Sequence, residues 1–471
     1  MGLCANGRNL SFSEKPSRIY GSVLSAIVAV TLFFMPGDTR AASPFSPPVR
    51  VDDGPDDQRS WCPSLAVRPD NTLLVYYSSY PTYTLRGTYS ANLGQTWAPS
   101  YQAVQTSCGG GCPSALALDN QNIILAATEG CGWEQGKVEI FRSTDGGMGF
   151  GTPVNSEGAC IVYHQQLFRS VNRIHLFWSD YCDQDDYYNL SNDDGQTWSI
   201  QEIESYELLR GTTDGATIHL AVGDYSGAVH VFRSDDEGDT WSSPQHIGSG
   251  THPSPIRLSS GELITIWLPS GGGLEISRSS DNGQTWSAPT QVTLNQLGDY
   301  ETMQAISDGE RIWIIGSYLS IDKLLTNMDA HLSIDGGLTW AGAFQVVRTV
   351  DLISTIDIKL ADDFLHVVWN EFDDVFEPTY SHVFYSHAPV YFLQRNDQIR
   401  DIYSANPTMA EVMTNLRASA PYLPITQSSV EDPEIGIVSD ASRPLVLYEL
   451  TAPQKSLLLT KSPNDSVQFD W

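Results

Sequence analysis

Basic residues are scarce in this chain, with 26 lysines and arginines against 56 aspartates and glutamates among 471 residues, a formal net charge of -30. Proteins that bind nucleic acid or anionic membrane surfaces need a basic surface, so we expect no nucleic-acid partner and no membrane partner beyond an N-terminal anchor. Charged residues make up only 17% of the chain and hydrophobic residues 41%. Such a composition can bury a core and excludes a disordered chain.

Long hydrophobic runs are also missing, except for one at about residues 19–35. Basic residues precede this run, and the small residues Ala41 and Ala42 follow it. These three parts are typical of a secretory signal, so we predict a signal peptide over residues 1–41. The protein would then be secreted, periplasmic or on the cell surface. An uncleaved anchor is the alternative, although the run is slightly short for a membrane span.

Cysteine is absent after residue 182, and removal of the signal leaves six cysteines. An even number in an exported protein suggests disulfides. A zinc site or a catalytic cysteine is the alternative, but the chain has no C-x-x-C pair to support zinc.

One motif, in contrast, is abundant. The pattern S-x-D-x-G-x-T-W occurs six times with small variations, at intervals of 43 to 54 residues. Its Asp side chain can accept hydrogen bonds from the turn backbone, its Gly permits a positive φ, and its aromatic residue can pack beneath the turn. We call it the turn motif and interpret its third residue as structural, at Asn92, Asp145, Asp193, Asp236, Asp281 and Asp335.

The turn motif is the Asp box, and the chain resembles the Asp-box (BNR-repeat) sialidase-like propellers, clearly over about residues 45–340. The resemblance implies an all-β fold, a β-propeller of four-stranded blades with strands A (inner) to D (outer). Residues 252–258, 262–268, 274–279 and 287–292 illustrate the four strands of one repeat. Histidines at positions 175, 219 and 366 alternate with apolar residues in B strands, so we interpret them as packed side chains.

Residues 45–51 resemble the D strand that follows each turn motif, and we expect this N-terminal outer strand to close the ring. Its partners would come from residues 356–386 or 434–469, which gives seven or eight blades, with six as in family sialidases as the alternative. The predicted division is blades at 45–391, an insert with a short helix at 392–430 and a probable closing blade at 431–471. The helix, within 406–419, either packs on the propeller or binds a protein partner.

The turn motifs lie at C–D turns, so the D–A and B–C loops share the opposite face, at the mouth of the central channel. Aromatic and acidic side chains in these loops suit a glycan or polysaccharide, and a solvated acidic loop is the alternative. The candidate substrate-binding residues are Arg59, Trp61, Tyr83, Trp133, His164, Arg210 and Arg257.

The same strand directions predict two disulfides within blades, Cys160–Cys182 and Cys108–Cys131, and leave Cys62–Cys112 between neighbouring inner strands. We expect no cofactor and no metal. Calcium held by aspartates between residues 180 and 186 is the alternative, but their spacing is not that of an EF-hand.

The catalytic set that the resemblance implies is incomplete. Trp61 stands where the first arginine of the family's R-I-P motif belongs, and residues 78–84 contain no acid/base Asp. Glu207 and Glu301 could form the carboxylate pair of another glycoside hydrolase. His252 or His164, with Tyr300, could serve as base and acid of a polysaccharide lyase. A true exo-sialidase, a glycan-binding propeller and a non-catalytic protein-binding scaffold also remain open.

Overall fold

A computed structural model describes most of the chain between residues 43 and 390, and short strands beyond it. The described ranges are 43–54, 59–106, 111–130, 136–159, 162–180, 185–203, 208–223, 226–292, 294, 300–309, 311–320, 325–373 and 380–390, with 425–427, 437–439, 444–446, 458–461 and 467–470. Within these ranges the protein is all-β and contains no helix element. No helix there is long and apolar enough to cross a membrane.

After a short first strand, β1 (Val49–Arg50), the chain forms antiparallel groups of four strands, which we call units 1 to 7. Unit 7 obtains its fourth strand from β1. The strands of units 1 to 4 are β2 (Arg59–Val67), β3 (Leu73–Tyr80), β4 (Thr84–Ser90), β5 (Tyr101–Gln105); β6 (Ser114–Ala117), β7 (Ile123–Gly130), β8 (Gly136–Ser143), β9 (Asn155–Ala159); β10 (Val162–Arg169), β11 (Ile174–Asp180), β12 (Asp185–Ser191), β13 (Ser199–Ile203); and β14 (Leu208–Asp214), β15 (Thr217–Gly223), β16 (Ala228–Ser234), β17 (Gln245–Ser249).

The remaining units follow the same order of strands. They comprise β18 (Thr251–Arg257), β19 (Leu263–Leu268), β20 (Leu274–Ser279), β21 (Thr290–Val292); β22 (Tyr300–Ser307), β23 (Ile312–Leu319), β24 (Thr326–Ser333), β25 (Ala341–Thr349); and β26 (Leu352–Ala361), β27 (Phe364–Phe372), β28 (Ser381–Pro389). Five short strands, β29 (Ile425–Gln427), β30 (Ile437–Ser439), β31 (Pro444–Val446), β32 (Leu458–Lys461) and β33 (Val467–Asp470), pair only with one another.

Continuous apolar runs form the second strand of each unit. In β19, for example, all six residues are buried. A strand in the middle of a sheet is covered on both faces when other sheets pack on each side, so its sequence is mostly apolar rather than alternating. Consecutive units share apolar clusters, and the last unit packs on the first through Val368 and Tyr385 against Leu65 and Val75. The histidines His175, His219 and His366 are buried in these second strands, as predicted.

The first strands of consecutive units contact one another, and β26 contacts β2, so the contacts form a ring. The outer strand β1 pairs with β28, with Val49 opposite Tyr385, and Arg59 of β2 makes a parallel bridge to Ser381 of β28. The repeated four-stranded sheets are those of a propeller-like fold. The N-terminal outer strand therefore completes the unit at 352–389 and does not join a blade built from residues 431–471.

The turn motifs connect the third and fourth strands of units 1 to 6. In unit 5, the Thr285 N–H and hydroxyl donate to Asp281 at 2.9 and 2.5 Å, and the Ser279 hydroxyl donates to the same carboxylate at 2.8 Å. Gly283, at φ +81°, lies so close to the His219 ring that a Cβ there would sit 2.9 Å from it. Each turn thus fits against the preceding unit, which joins local turn chemistry to the packing of the ring.

Candidate functional site

A cavity of about 560 Å³ lies between the first strands of all seven units. In each unit, one residue of the first strand pairs with the same position of the second strand. These seven residues therefore lie at one level along the channel. We call these seven cavity-lining residues the channel ring: Ser64, Ser114, Gln166, Arg210, Ser254, Gln304 and Asp357.

Members of the channel ring hold neighbouring units together. Each of four members accepts a backbone N–H from the residue that follows the ring position of the next unit. These bonds are Ala115 N to Ser64 Oγ (3.1 Å), Leu167 N to Ser114 Oγ (3.0 Å), Gly211 N to Gln166 Oε1 (2.7 Å) and Leu65 N to Asp357 Oδ2 (2.8 Å). The cavity wall is polar because the same side chains satisfy backbone donors between strands.

Arg210 is the only cation of the channel ring, and it lies in β14. Burial lowers the pKa of its guanidinium, and the negative charge of Asp357 acts in the opposite direction. Asp357 is already engaged, since its carboxylate accepts hydrogen bonds from the Leu65 and Ile358 N–H groups and from Lys359 Nζ. The cavity wall therefore carries a half-buried positive charge, and the Asp357 carboxylate that acts on it is already bonded to other groups.

His252 lies near the start of β18, with φ +54°. Burial, with a contribution from the positive charge of Arg210, lowers its pKa to about 4. The imidazole is therefore neutral near pH 7 and could accept a proton, as a base must. Its described partner is the Thr251 hydroxyl, at 3.1 Å.

Aromatic rings lie together in unit 1, next to Cys62, which lines the cavity. Trp61 stacks on Tyr80 with ring centroids 6.4 Å apart, and Tyr80 meets Tyr83 edge to face at 5.3 Å. The Arg59 guanidinium lies 5.2 Å from the centroid of the Tyr80 ring. Tyr83 is 40% exposed. We call Trp61, Tyr80 and Tyr83 the aromatic shelf; its exposed ring, that of Tyr83, could pack on the C–H face of a sugar.

A disulfide joins Cys62 to Cys112, as predicted. Both cysteines line the cavity, and the bond ties the strand that carries Trp61 to the segment before β6. It therefore fixes the position of the aromatic shelf relative to unit 2. The predicted partners Cys108, Cys131, Cys160 and Cys182 lie outside the described residues.

Three further candidates occupy other places than the mouth. Tyr300 is only 7% exposed, its ring packs against Gly316, and burial raises the pKa of its hydroxyl. Glu301 is exposed and does not line the cavity. Arg257 ends β18 at the turn-motif face, where it binds Asn282 and Asp214, each at 2.7 Å. The structure thus brings Arg210 near His252. It also brings Arg59, Trp61 and Tyr83 together around Tyr80. Tyr300 belongs to neither group.

Several predictions lie outside the described residues. These are Glu207, Trp133, the signal peptide at 1–41 and the helix within 406–419. His164 lies in β10, but its side chain and those of residues 180–186, the candidate calcium ligands, are also outside the description. Among the described side chains no group of three His, Cys, Asp or Glu residues could hold a metal ion.

An acidic group near unit 1 was not among the candidate site residues predicted from the sequence. The Tyr380 hydroxyl donates to Asp351 at 2.6 Å, and the buried Glu371 carboxylate accepts bonds from Trp369 Nε1 at 2.8 Å and Thr349 Oγ1 at 3.0 Å. Burial raises the pKa of Glu371.

Ser381, which follows Tyr380, forms the parallel strand pair with Arg59 of β2. This pairing places the acidic group next to unit 1. The acidic run at residues 371–374 was the available sequence signal, but only strand pairing shows that it adjoins the shelf.

No protein-family model matches the chain, and no curated protein matches it. Among solved structures, an ulvan lyase of polysaccharide lyase family PL25 matches with a TM-score of 0.50 at 14% identity, over 73% of this chain and 95% of that one. The likeness is one of fold.

Two other structures align less well. The α-L-arabinofuranosidase Arb93A from Fusarium graminearum gives a TM-score of 0.45 at 15% identity, over 62% of this chain and 98% of that one. A Hadza microbial sialidase gives 0.40 at 17% identity, over 55% and 63%.

Proposed function

We propose that this protein is a seven-bladed, sialidase-like Asp-box propeller that binds a glycan at the mouth of its channel. The observation that carries the proposal is the aromatic shelf of Trp61, Tyr80 and Tyr83, which has one exposed ring and begins at the residue before Cys62, a residue of the cavity wall. Aromatic faces bind sugar C–H faces, and the polar cavity wall offers hydroxyl and amide groups to sugar hydroxyls. The ring of contacts among seven first strands supports the number of blades.

A glycan array probed with the wild-type chain and with Y83A and W61A tests this function. The control is L338A, which truncates an apolar side chain that is 73% exposed in the turn motif of unit 6. We expect Y83A to weaken glycan binding at least about fivefold, because a stacked ring contributes roughly 1 kcal/mol. L338A should bind as the wild type does. Equal binding by all four proteins, or no glycan bound by any, contradicts the proposal.

Glycan cleavage is a second candidate function, favoured by the acidic group of Asp351, Glu371 and Tyr380. A carboxyl whose pKa is raised by burial is suited to act as a general acid, and this one lies in the unit adjacent to the aromatic shelf. The hydrogen bond to Asp351 raises the pKa of Tyr380, so its hydroxyl stays protonated.

Release assays on glycans that the array identifies, with the wild type, E371Q and Y380F, test for cleavage. We expect both variants to lose release while keeping binding. Release that persists in both variants would assign the chemistry to other residues, and no release by the wild type would leave binding alone as the function.

We also propose that the chain is exported, to the outside of the cell, the periplasm or the cell surface, through removal of residues 1–41. The disulfide between Cys62 and Cys112 supports this location, since such bonds persist in oxidising compartments. N-terminal sequencing of the protein recovered from its producing cell should begin at Ala42. An intact N-terminus on a cytoplasmic protein contradicts it.

A further inference from the structure

Arg210 differs from the other arginines that the structure describes. Those arginines hold partners, such as Asp239 for Arg173 and Glu262 for Arg278. Among the described residues Arg210 has no partner in a hydrogen bond, ion pair or ring contact, although it lines the cavity. A charge that is partly removed from water without a paired group is unfavourable, so its retention calls for a physical reason.

The channel ring shows that Arg210 does not hold units 4 and 5 together. In the preceding unit, Gln166 accepts the N–H of Gly211. The equivalent donor for Arg210 would be the residue after Ser254, and that residue is Pro255, which has no N–H. The Arg210 guanidinium cannot accept a hydrogen bond, and Pro255, at the donor position, has no N–H to donate. The structural role of the ring position is absent at this point.

The surroundings of Arg210 are suited to an anion. The Thr212 and Ser254 hydroxyls line the same cavity, and the charge of the only carboxylate in the ring, Asp357, is already shared with Lys359 and two backbone N–H groups. A guanidinium presents a planar pair of donors that matches the oxygens of a carboxylate or a sulfate. The cavity volume of about 560 Å³ is that of a small-molecule site.

We propose that Arg210 binds an oxyanion, a carboxylate or a sulfate group, inside the channel. Within the proposed function, on which this part rests, the group belongs to an acidic sugar of the bound glycan. Arg210 in β14 lies at the level of Ser64 in β2, since both belong to the channel ring. Trp61 comes three residues before Ser64, nearer the start of its strand. The oxyanion site is therefore deeper in the channel than the aromatic shelf, and a chain of sugars would span the two.

Ligand-induced shifts in Tm, measured at constant ionic strength, test the site with the full chain. The probes are inorganic sulfate, glucuronate and, as the neutral control, glucose. R210Q is compared with R169Q, which removes a surface arginine that pairs with Asp194 in a turn motif. Sulfate and glucuronate should stabilise the wild type and R169Q, with affinity at least about tenfold weaker in R210Q, as expected for the loss of a charged hydrogen-bonded pair. Glucose should stabilise none of them through this site.

A second measurement separates a binding role from a structural one. Without ligand, R210Q should melt at the wild-type temperature or above it, because it removes a half-buried charge that has no ion-pair partner among the described residues. If R210Q does not fold, R210K replaces it; the point charge keeps the attraction but loses the paired donors, so weaker anion binding is again expected. Anion binding that is equal in R210Q and the wild type, or no binding of sulfate or glucuronate by the wild type, overturns the proposal.

The same measurements distinguish this inference from the proposed glycan binding. Y83A should lose glycan binding but keep its response to sulfate, because the shelf and Arg210 are different parts of the channel. Sulfate binding that depends on Arg210 while Y83A still binds glycans supports the oxyanion site and contradicts the shelf. Binding of sulfate without glucuronate supports the site and assigns it to a free inorganic ion rather than to an acidic sugar.

Discussion

The Asp357 carboxylate accepts the backbone N–H of Leu65 at 2.8 Å, joining unit 7 to unit 1 across 292 positions of the chain. The other ring bonds join successive units, whereas this one closes the ring at the level of the cavity. The Asp357 carboxylate also accepts the Ile358 N–H and pairs with Lys359. Its removal would leave a buried backbone donor without an acceptor.

The variant D357A should therefore lower the free energy of unfolding by about 1–3 kcal/mol, the usual cost of an unsatisfied buried group. D357N keeps a carbonyl oxygen at the same place and should lose less. Urea unfolding followed by tryptophan fluorescence measures both. Equal stability of D357A and the wild type would show that the bond does not contribute to closure.

The disulfide between Cys62 and Cys112 encloses a segment with a sequence separation of 50. A cross-link of this length restricts the unfolded chain, and its loss should lower the free energy of unfolding by about 3–4 kcal/mol. The double variant C62S/C112S and the reduced wild type should show the same lowered urea midpoint. An unchanged midpoint in the double variant would contradict the prediction, and a further loss on reduction of that variant would reveal another disulfide.

The pH dependence of stability should reflect the turn-motif carboxylates. Hydrogen bonds, first from the Thr285 hydroxyl, lower the pKa of Asp281 from its ordinary 3.8 to about 2. A lowered pKa means that the ionised form stabilises the folded state. This contribution is complete above about pH 4 and is lost as the pH falls towards 2.

D281N supplies the comparison, because Asn92 in unit 1 already donates from Nδ2 to Thr96 Oγ1 at 2.9 Å in the same geometry. The difference in Tm between the wild type and D281N should shrink from pH 5 to pH 2, since the variant has no carboxylate to titrate there. A constant difference over this range would mean that Asp281 titrates normally.

Gly283 and Gly215 allow backbone strain to be separated from packing. Both have positive φ, +81° and +61°, but a Cβ at Gly283 would meet the His219 ring at 2.9 Å, whereas a Cβ at Gly215 would meet no atom within 4 Å. Both alanine variants should lose about 1 kcal/mol from the backbone. G283A should lose about 1–3 kcal/mol more from the clash between units 4 and 5. Thermal or urea unfolding compares the two, and equal losses would count against close packing of the turn.

The strand order and the position of the outer strand could be predicted because their determinants are local. A turn motif lies within eight residues, and each apolar run next to it forms a strand of the same sheet. The likeness of residues 45–51 to later outer strands predicted the closure that β1 makes with β28. The partner of β1 could not be chosen from the sequence, since two C-terminal segments share the required pattern.

The face on which an inner-strand residue lies could not be predicted. Tyr300 begins its strand at the mouth, yet its ring is buried within the sheet. Register shifts occur near the mouth end of several first strands, between Trp61 and Ser64 and between Tyr300 and Thr302, for example. An extra residue at such a bulge changes the alternation of faces, so counting along the strand does not show which side chains line the channel.

The sequence by itself therefore determined the repeated four-stranded units, the structural turns and the scarcity of positive charge, because short-range patterns and composition carry this information. Only the tertiary structure decided what the channel contains. Arg210, Pro255 and Asp357 come from three different units, and the lack of a partner for Arg210 among the described residues is visible only when the ring brings their strands to one level. Contacts between residues far apart in the chain depend on closure and register, which no local pattern encodes.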